Sequence, residues 1–99
     1  VSFRLTREAE ADLIGVSNEI GRDNPERAVS YVDELLDRTA QAADNPKLYR
    51  LRPEWGKAVR CARHGSYLIL FEIDDEGVVV LRYLHGRRNI AQIMSGEDQ

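Results

Sequence analysis

Two runs near the C-terminus constrain the fold most: Tyr67-Leu68-Ile69-Leu70-Phe71-Glu72-Ile73 and Val78-Val79-Val80-Leu81-Arg82-Tyr83-Leu84, separated by Asp74-Asp75-Glu76-Gly77. β-Branched and aromatic residues dominate both runs and the spacer has turn chemistry, so the pair predicts an antiparallel hairpin. Apolar side chains occupy odd and even positions alike, the texture of strands covered on both faces. If the loop sets Ile73 opposite Val78, then Tyr67, Ile69, Phe71, Val80 and Leu84 share one face with Arg82. Leu68, Leu70, Val79, Leu81 and Tyr83 then share the other.

What precedes the hairpin is helical. Ser2 to Leu5 reads as a short strand, and Thr6 as the N-cap of a helix with Glu8 and Glu10 in its first turn. Ala9, Leu13, Val16 and Ile20 recur at helical spacing up to Gly21. Asn24-Pro25 starts a second helix, because Asn caps well and Pro at the first helical position loses no needed hydrogen bond. Its apolar positions Ala28, Val32, Leu35, Leu36, Thr39, Ala40 and Ala43 keep the 3.6-residue period until Asn45-Pro46. The short connection predicts an antiparallel helical hairpin. Beyond Pro46, Leu48–Leu51 and Ala58–Arg63 read as further strands, Asn89–Met94 as a short helix or loose tail, and Ser95–Gln99 as frayed. The expected fold is α+β, residues 1–99 forming one domain in which an N-terminal strand and a helical hairpin precede a three- to four-stranded antiparallel sheet.

Two helices joined by a short turn cover one face of such a sheet, so the second face needs another cover. The chain's own strand tails or C-terminal tail, a homodimer, or a segment of a separate protein would each serve. The separate segment is the expectation carried forward.

Composition removes several classes of function. No run reaches the length of a membrane span, and Val1-Ser2-Phe3-Arg4 lacks the apolar core of a signal peptide, so a cytoplasmic location is expected. One cysteine and two histidines make a poor zinc set, and no phosphate loop or nucleophile elbow occurs; neither metal nor cofactor is expected. A net charge of −3 disfavours nucleic acid as a direct partner. The charge is uneven, however, because Arg60, Arg63, Arg82, Arg87 and Arg88 all lie in the C-terminal half.

The ordered fragments resemble the ParE/RelE toxin superfamily. They are Leu5-Thr6-Arg7-Glu8-Ala9-Glu10-Ala11-Asp12-Leu13, Asn24-Pro25-Glu26-Arg27-Ala28, Pro46 in its loop, Val59-Arg60-Cys61, Gly65-Ser66-Tyr67-Leu68-Ile69-Leu70-Phe71, and Val80-Leu81-Arg82-Tyr83-Leu84-His85-Gly86-Arg87-Arg88-Asn89. The last, a strand followed by histidine and a basic pair, is most like the ParE branch. The resemblance implies the toxin of a type II toxin–antitoxin pair, of the kind that serves plasmid maintenance. ParE-like members inhibit DNA gyrase by protein contact and are neutralised in a hetero-oligomer by a ParD-like antitoxin; RelE-like members cut ribosome-bound messenger RNA.

Metal-free RNA cleavage needs groups that move protons and stabilise phosphorane charge. If the chain were a nuclease, Arg60, Arg63, His85 and Arg88 would be its catalytic set, but Met94 stands where RelE-like enzymes commonly carry a tyrosine, and methionine transfers no proton. The missing tyrosine and the acidic total favour the non-enzymatic gyrase inhibitor over the nuclease. A non-toxic remnant that only binds antitoxin is a third reading. For contact with antitoxin or target the expected residues are Arg60, Leu81, Arg82, Tyr83, His85, Arg87 and Arg88. Arg82, inside an apolar strand, must reach solvent or find a carboxylate such as Glu72 or an acid of the antitoxin. His64 reads as a turn residue, Trp55 as a lid on the core, Tyr31 and Tyr49 as packing residues and Cys61 as a buried strand residue.

Overall fold

The computed structural model describes residues 3–96. Strand β1 (Phe3–Leu5) leads into helix α1 (Arg7–Gly21) and helix α2 (Pro25–Asp44); β2 (Arg60–His64), β3 (Tyr67–Asp74), β4 (Gly77–His85) and the short helix α3 (Ile90–Met94) follow. The caps expected at Thr6 and Asn24 form, and Asn89 supplies a third for α3. Thr6 Oγ1 accepts from the Ala9 amide at 3.0 Å, Asn24 Oδ1 from the Arg27 amide at 3.0 Å, and Asn89 Oδ1 from the Gln92 amide at 3.2 Å. The expected start of β1 at Ser2, and residues 97–99 of the expected frayed tail, lie outside the described residues.

The sheet order is β1-β4-β3-β2. β2–β3 and β3–β4 are antiparallel as expected, whereas β1 runs parallel to β4, with Phe3, Arg4 and Leu5 opposite Val78, Val79 and Val80. The sheet is therefore mixed. Leu48–Leu51 is not its fourth strand: Pro46–Leu48 forms a 3-10 turn, and only Leu51 makes an isolated bridge, to Arg60. Pro46 at the first position of that turn stabilises it, and Leu48 is left 81% exposed, where a sheet strand would have covered it.

The face assignment needs a second correction. β3 and β4 pair without interruption from Ile73–Val78 to Phe71–Val80, then slip at a bulge so that Leu70 faces Arg82. One extra residue on β4 inverts the alternation beyond it. Tyr83 consequently joins Ile69, Phe71, Val78 and Val80 under the helices, with Ala9, Val16, Leu35 and Ala42, while Leu84 moves to the outer layer with Leu68 and Leu70.

The outer face carries a cover made by the chain itself. Val59 and Trp55 from the loop before β2, and Ile90, Ile93 and Met94 from α3, pack over Leu68, Leu70 and Leu84. Leu70 is wholly buried and Leu84 is 1% exposed, so the expectation that a separate protein must seal this face is overturned. Among the described residues the large apolar side chains left exposed are instead Ile14 and Val29 on the helices and Leu48 and Leu51 in the following loop.

Candidate functional site

The basic residues singled out from the sequence lie on β2, on the C-terminal half of β4 and in the turn after it, and the sheet divides them. Arg60 lies opposite Phe71, on the helix side, and its Nη1 donates to the Tyr49 carbonyl at 2.6 Å. His85 lies opposite Tyr67, their rings 5.1 Å apart edge to face, on the same side. Arg63 lies opposite Leu68, on the outer side. Arg87 and Arg88 are exposed in the turn that follows β4.

Two clefts flank this end. On the helix side, a cleft of about 390 Å³ lies between α1 and the strand ends, lined by Asp12, Gly15, Glu19, Tyr67, His85 and Arg88 among others. The Arg87 amide donates to His85 Nδ1 at 3.1 Å, which leaves the proton of the neutral ring on Nε2. Burial pushes the Tyr67 hydroxyl above its ordinary pKa, so that hydroxyl keeps its proton. On the outer side, a cleft of about 490 Å³ is lined by Arg52, Trp55, Cys61, Arg63, Arg88 and Asn89 over a floor that includes Leu68 and Ile90. Arg52 stacks on the Trp55 ring at 3.8 Å and pairs with Glu54 at 2.7 Å. Burial raises the Cys61 thiol pKa while Arg52 and Arg63 pull it down, which places both cations near the sulfur.

Arg82 resolves within the chain. β1 leaves the edge of β4 after Val80, and the start of α1 takes over: the Thr6 amide donates to the Val80 carbonyl at 3.0 Å and Thr6 Oγ1 to the Leu81 carbonyl at 2.8 Å. Asp12 then accepts from Arg82 Nε at 2.7 Å, from Arg82 Nη2 at 3.0 Å and from the Tyr83 amide at 3.0 Å. The carboxylate partner is Asp12, not Glu72. Asp12 was absent from the expected site, although an acid three residues beyond Ala9, on the border of the α1 apolar stripe, was its signal.

Tyr83 cannot meet a partner in this conformation. It is 2% exposed, and its hydroxyl lies 2.8 Å from Thr39 Oγ1, which itself donates to the Leu35 carbonyl; the Tyr83 hydroxyl is thus the donor of the pair. Leu81 is half-buried and borders α3 with Ile93 and Met94. Trp55 does act as a lid on the outer layer. Cys61 is on a strand but only half-buried.

A further cluster, missed in the sequence, ties α2 to the β2–β3 turn. His64 Nε2 lies 2.8 Å from Glu34, Arg27 pairs with the same carboxylate at 2.6 Å, and the Tyr31 hydroxyl donates to the His64 carbonyl at 3.0 Å. Arg27 first and His64 second push the Glu34 pKa down to about 2. The turn itself needs Gly65: its φ is +58°, and a Cβ there would lie 2.7 Å from the Tyr31 hydroxyl. Among the described residues no cluster of histidine, cysteine and carboxylate side chains could hold a metal ion, and no helix is long and apolar enough to cross a membrane.

Comparison with known proteins identifies the arrangement. The family model described as ParE toxin of type II toxin-antitoxin system, parDE, matches residues 3–90. Among solved structures the chain is similar to one titled "Chromosomal ParDE TA system from P. aeruginosa", with a TM-score of 0.74 at 20% identity, over 86% of this chain and 95% of that one. At that identity the likeness establishes the fold. No curated protein matches the sequence. The match across nearly all of the described strands and helices gives the family directly: the chain belongs to the ParE toxins of type II toxin–antitoxin systems.

Proposed function

We propose that this chain acts in the cytoplasm as a one-domain, non-enzymatic toxin that inhibits DNA gyrase by protein contact and is neutralised in a complex with a ParD-like antitoxin. Family membership supports the toxin role. The observation that carries the non-enzymatic part is the division of the would-be nuclease set. His85 stands on the helix side, Arg63 on the outer side, and the Arg60 guanidinium is held by the Tyr49 carbonyl. A general acid or base must come within hydrogen-bond reach of the proton it moves while cations meet the same phosphate; Arg88 borders the cleft of His85, but the sheet keeps Arg63 out of it, which opposes assembly of the whole set.

Contact is assigned to the exposed end of β4 and the following turn: His85, Arg87 and Arg88, with Leu81 and Arg82 beside them. Antitoxin binding is assigned to the shallow apolar groove of Leu13, Ile14, Val29 and Val32, where Ile14 is 63% and Val29 65% exposed. An amphipathic helix would cover that strip.

Purified chain added to a gyrase supercoiling reaction on relaxed plasmid tests the reading. Loss of supercoiling, relieved by a ParD-like antitoxin, is expected. Intact supercoiling together with cleavage of ribosome-bound messenger RNA would overturn it in favour of a nuclease, and a folded, antitoxin-binding chain active in neither assay would be a binding-only member.

A further inference from the structure

We propose that the turn after α2 is a self-association surface, on which a second copy of this chain docks about a two-fold axis. The inference rests on neither the gyrase nor the antitoxin reading. Leu48 is 81% exposed, the most open large apolar side chain among the described residues. Beside it lies a hollow of about 370 Å³ lined by Asp44, Pro46, Lys47 and Ile73, room for a leucine side chain. Lone exposed leucines are ordinary, but this one is held in place. The Leu48 amide donates to the Asn45 carbonyl at 3.1 Å and the Tyr49 amide to the Pro46 carbonyl at 3.2 Å. Tyr49 is pinned in turn by Arg38, which donates to its hydroxyl at 2.7 Å, by Arg60, which donates to its carbonyl at 2.6 Å, and by the Phe71 ring. A turn braced in this way presents its side chain at little further cost in ordering, which is what an anchor requires.

The charges choose the occupant. Asp44 closes α2, whose last turn carries no base, so its carboxylate adds to the negative end of the helix and calls for a cation. Lys47 lines the same hollow. Among the described residues neither Asp44 nor Lys47 makes an ion pair, whereas Arg4, Arg22, Arg27, Arg52 and Arg82 all do. A knob, a hollow, an acid and a base within one patch form a set that is its own complement. An isologous contact seats each Leu48 in the other copy's hollow and sets each Asp44 against the other copy's Lys47. Any other partner would have to reproduce all four features; a second copy brings them. With one anchor per copy the contact is smaller than a standard interface, so the dimer is weak, with a Kd of about 0.01–1 mM.

The test is sedimentation velocity on the full chain from about 5 μM to about 2 mM, a range that brackets that Kd, together with amide shifts followed over the same concentrations. A monomer–dimer equilibrium is expected, with shifts at Leu48 and Ile73. Leu48→Gln should weaken it about a hundredfold, because each dimer loses two seats worth about tenfold each. Ile14→Gln, which alters an exposed apolar residue on α1, should leave it unchanged. Asp44→Lys alone and Lys47→Glu alone should each weaken the dimer, since each sets like charges against one another in both contacts. Mixed in equal amounts, these two variants should dimerise as well as the parent chain, because every contact between them again joins opposite charges; a fold merely damaged by either change would not recover on mixing. A chain still monomeric at about 2 mM, a dimer unmoved by Leu48→Gln, equal weakening by Ile14→Gln, or no recovery on mixing the charge variants would each overturn the proposal.

Discussion

Replacing Asp12 with alanine should be the most damaging single change on the surface of α1. The carboxylate accepts three hydrogen bonds, two from the Arg82 guanidinium and one from the Tyr83 amide, and the two side chains are only 13% and 24% exposed. Exposed ion pairs are worth about 0–1 kcal/mol, but loss of one partner of a buried pair costs about 3–5 kcal/mol. Here Arg82 keeps some access to water, which lowers that figure, while the Tyr83 amide loses its acceptor at a cost of about 1–3 kcal/mol. We expect about 3 kcal/mol in all. At about 4–8 °C per kcal/mol for a chain of this size, Tm should fall by about 12–24 °C. Asp12→Asn retains an acceptor for the amide and should lose about half as much. A double-mutant cycle with Arg82→Met, followed by urea denaturation, should give a coupling of about 1–2 kcal/mol. Hydrogen exchange at the Tyr83 amide should accelerate in Asp12→Ala. A loss below about 0.5 kcal/mol, or a coupling near zero, would refute the reasoning and reduce the pair to surface decoration.

Three other outcomes are expected. Thr39→Val strands the buried Tyr83 hydroxyl and should cost about 1–3 kcal/mol, whereas the double variant with Tyr83→Phe should recover part of that loss in chemical denaturation because neither polar atom is left behind. The Glu34 carboxyl, ordinarily near 4.5, should titrate at about 2 by NMR and return towards its ordinary range in Arg27→Ala. Because the folded value is the lower one, the stabilising contribution is present above about pH 4.5 and disappears as pH falls towards about 2; an ordinary value in the parent chain would remove the Arg27–Glu34–His64 cluster from the stability argument. Truncation after Gly86 removes Ile90, Ile93 and Met94 from Leu68, Leu70 and Leu84. Ile90 alone contributes about 1.5–3 kcal/mol of burial. The truncated chain should therefore melt lower and bind a hydrophobic dye; unchanged melting without dye binding would show that α3 is not a cover.

Local chemistry was legible and distant geometry was not. Thr6 and Asn24 are read from their own side chains and the helices behind them from a 3.6-residue period, so both helices fall where the sequence places them. β1 is another matter. A run of three residues has no direction of its own, and only the register with Val78–Val80 makes it parallel. The bulge has no glycine or proline to announce it between Val80 and Tyr83, so strict alternation put Tyr83 and Leu84 on the wrong faces. The cover of the outer face rested on Trp55, Ile90 and Ile93, too sparse to show a period. The basic cluster was visible in composition, but which of its members share a cleft depends on the side of the sheet each one takes, and that parity follows from the register of β2 on β3.

That register shift sets where β4 can change length. Delete Leu81 and the ladder closes without the bulge, with Tyr83 still opposite Ile69 and Leu84 still opposite Leu68. An added residue in the Asp74–Gly77 turn leaves every downstream side chain free to keep its orientation, provided the ladder re-forms from Ile73 and Val78. Length variation among relatives of this chain should therefore collect at the hairpin tip and at the bulge, the two places where a residue can be gained or lost with the core side chains kept in place.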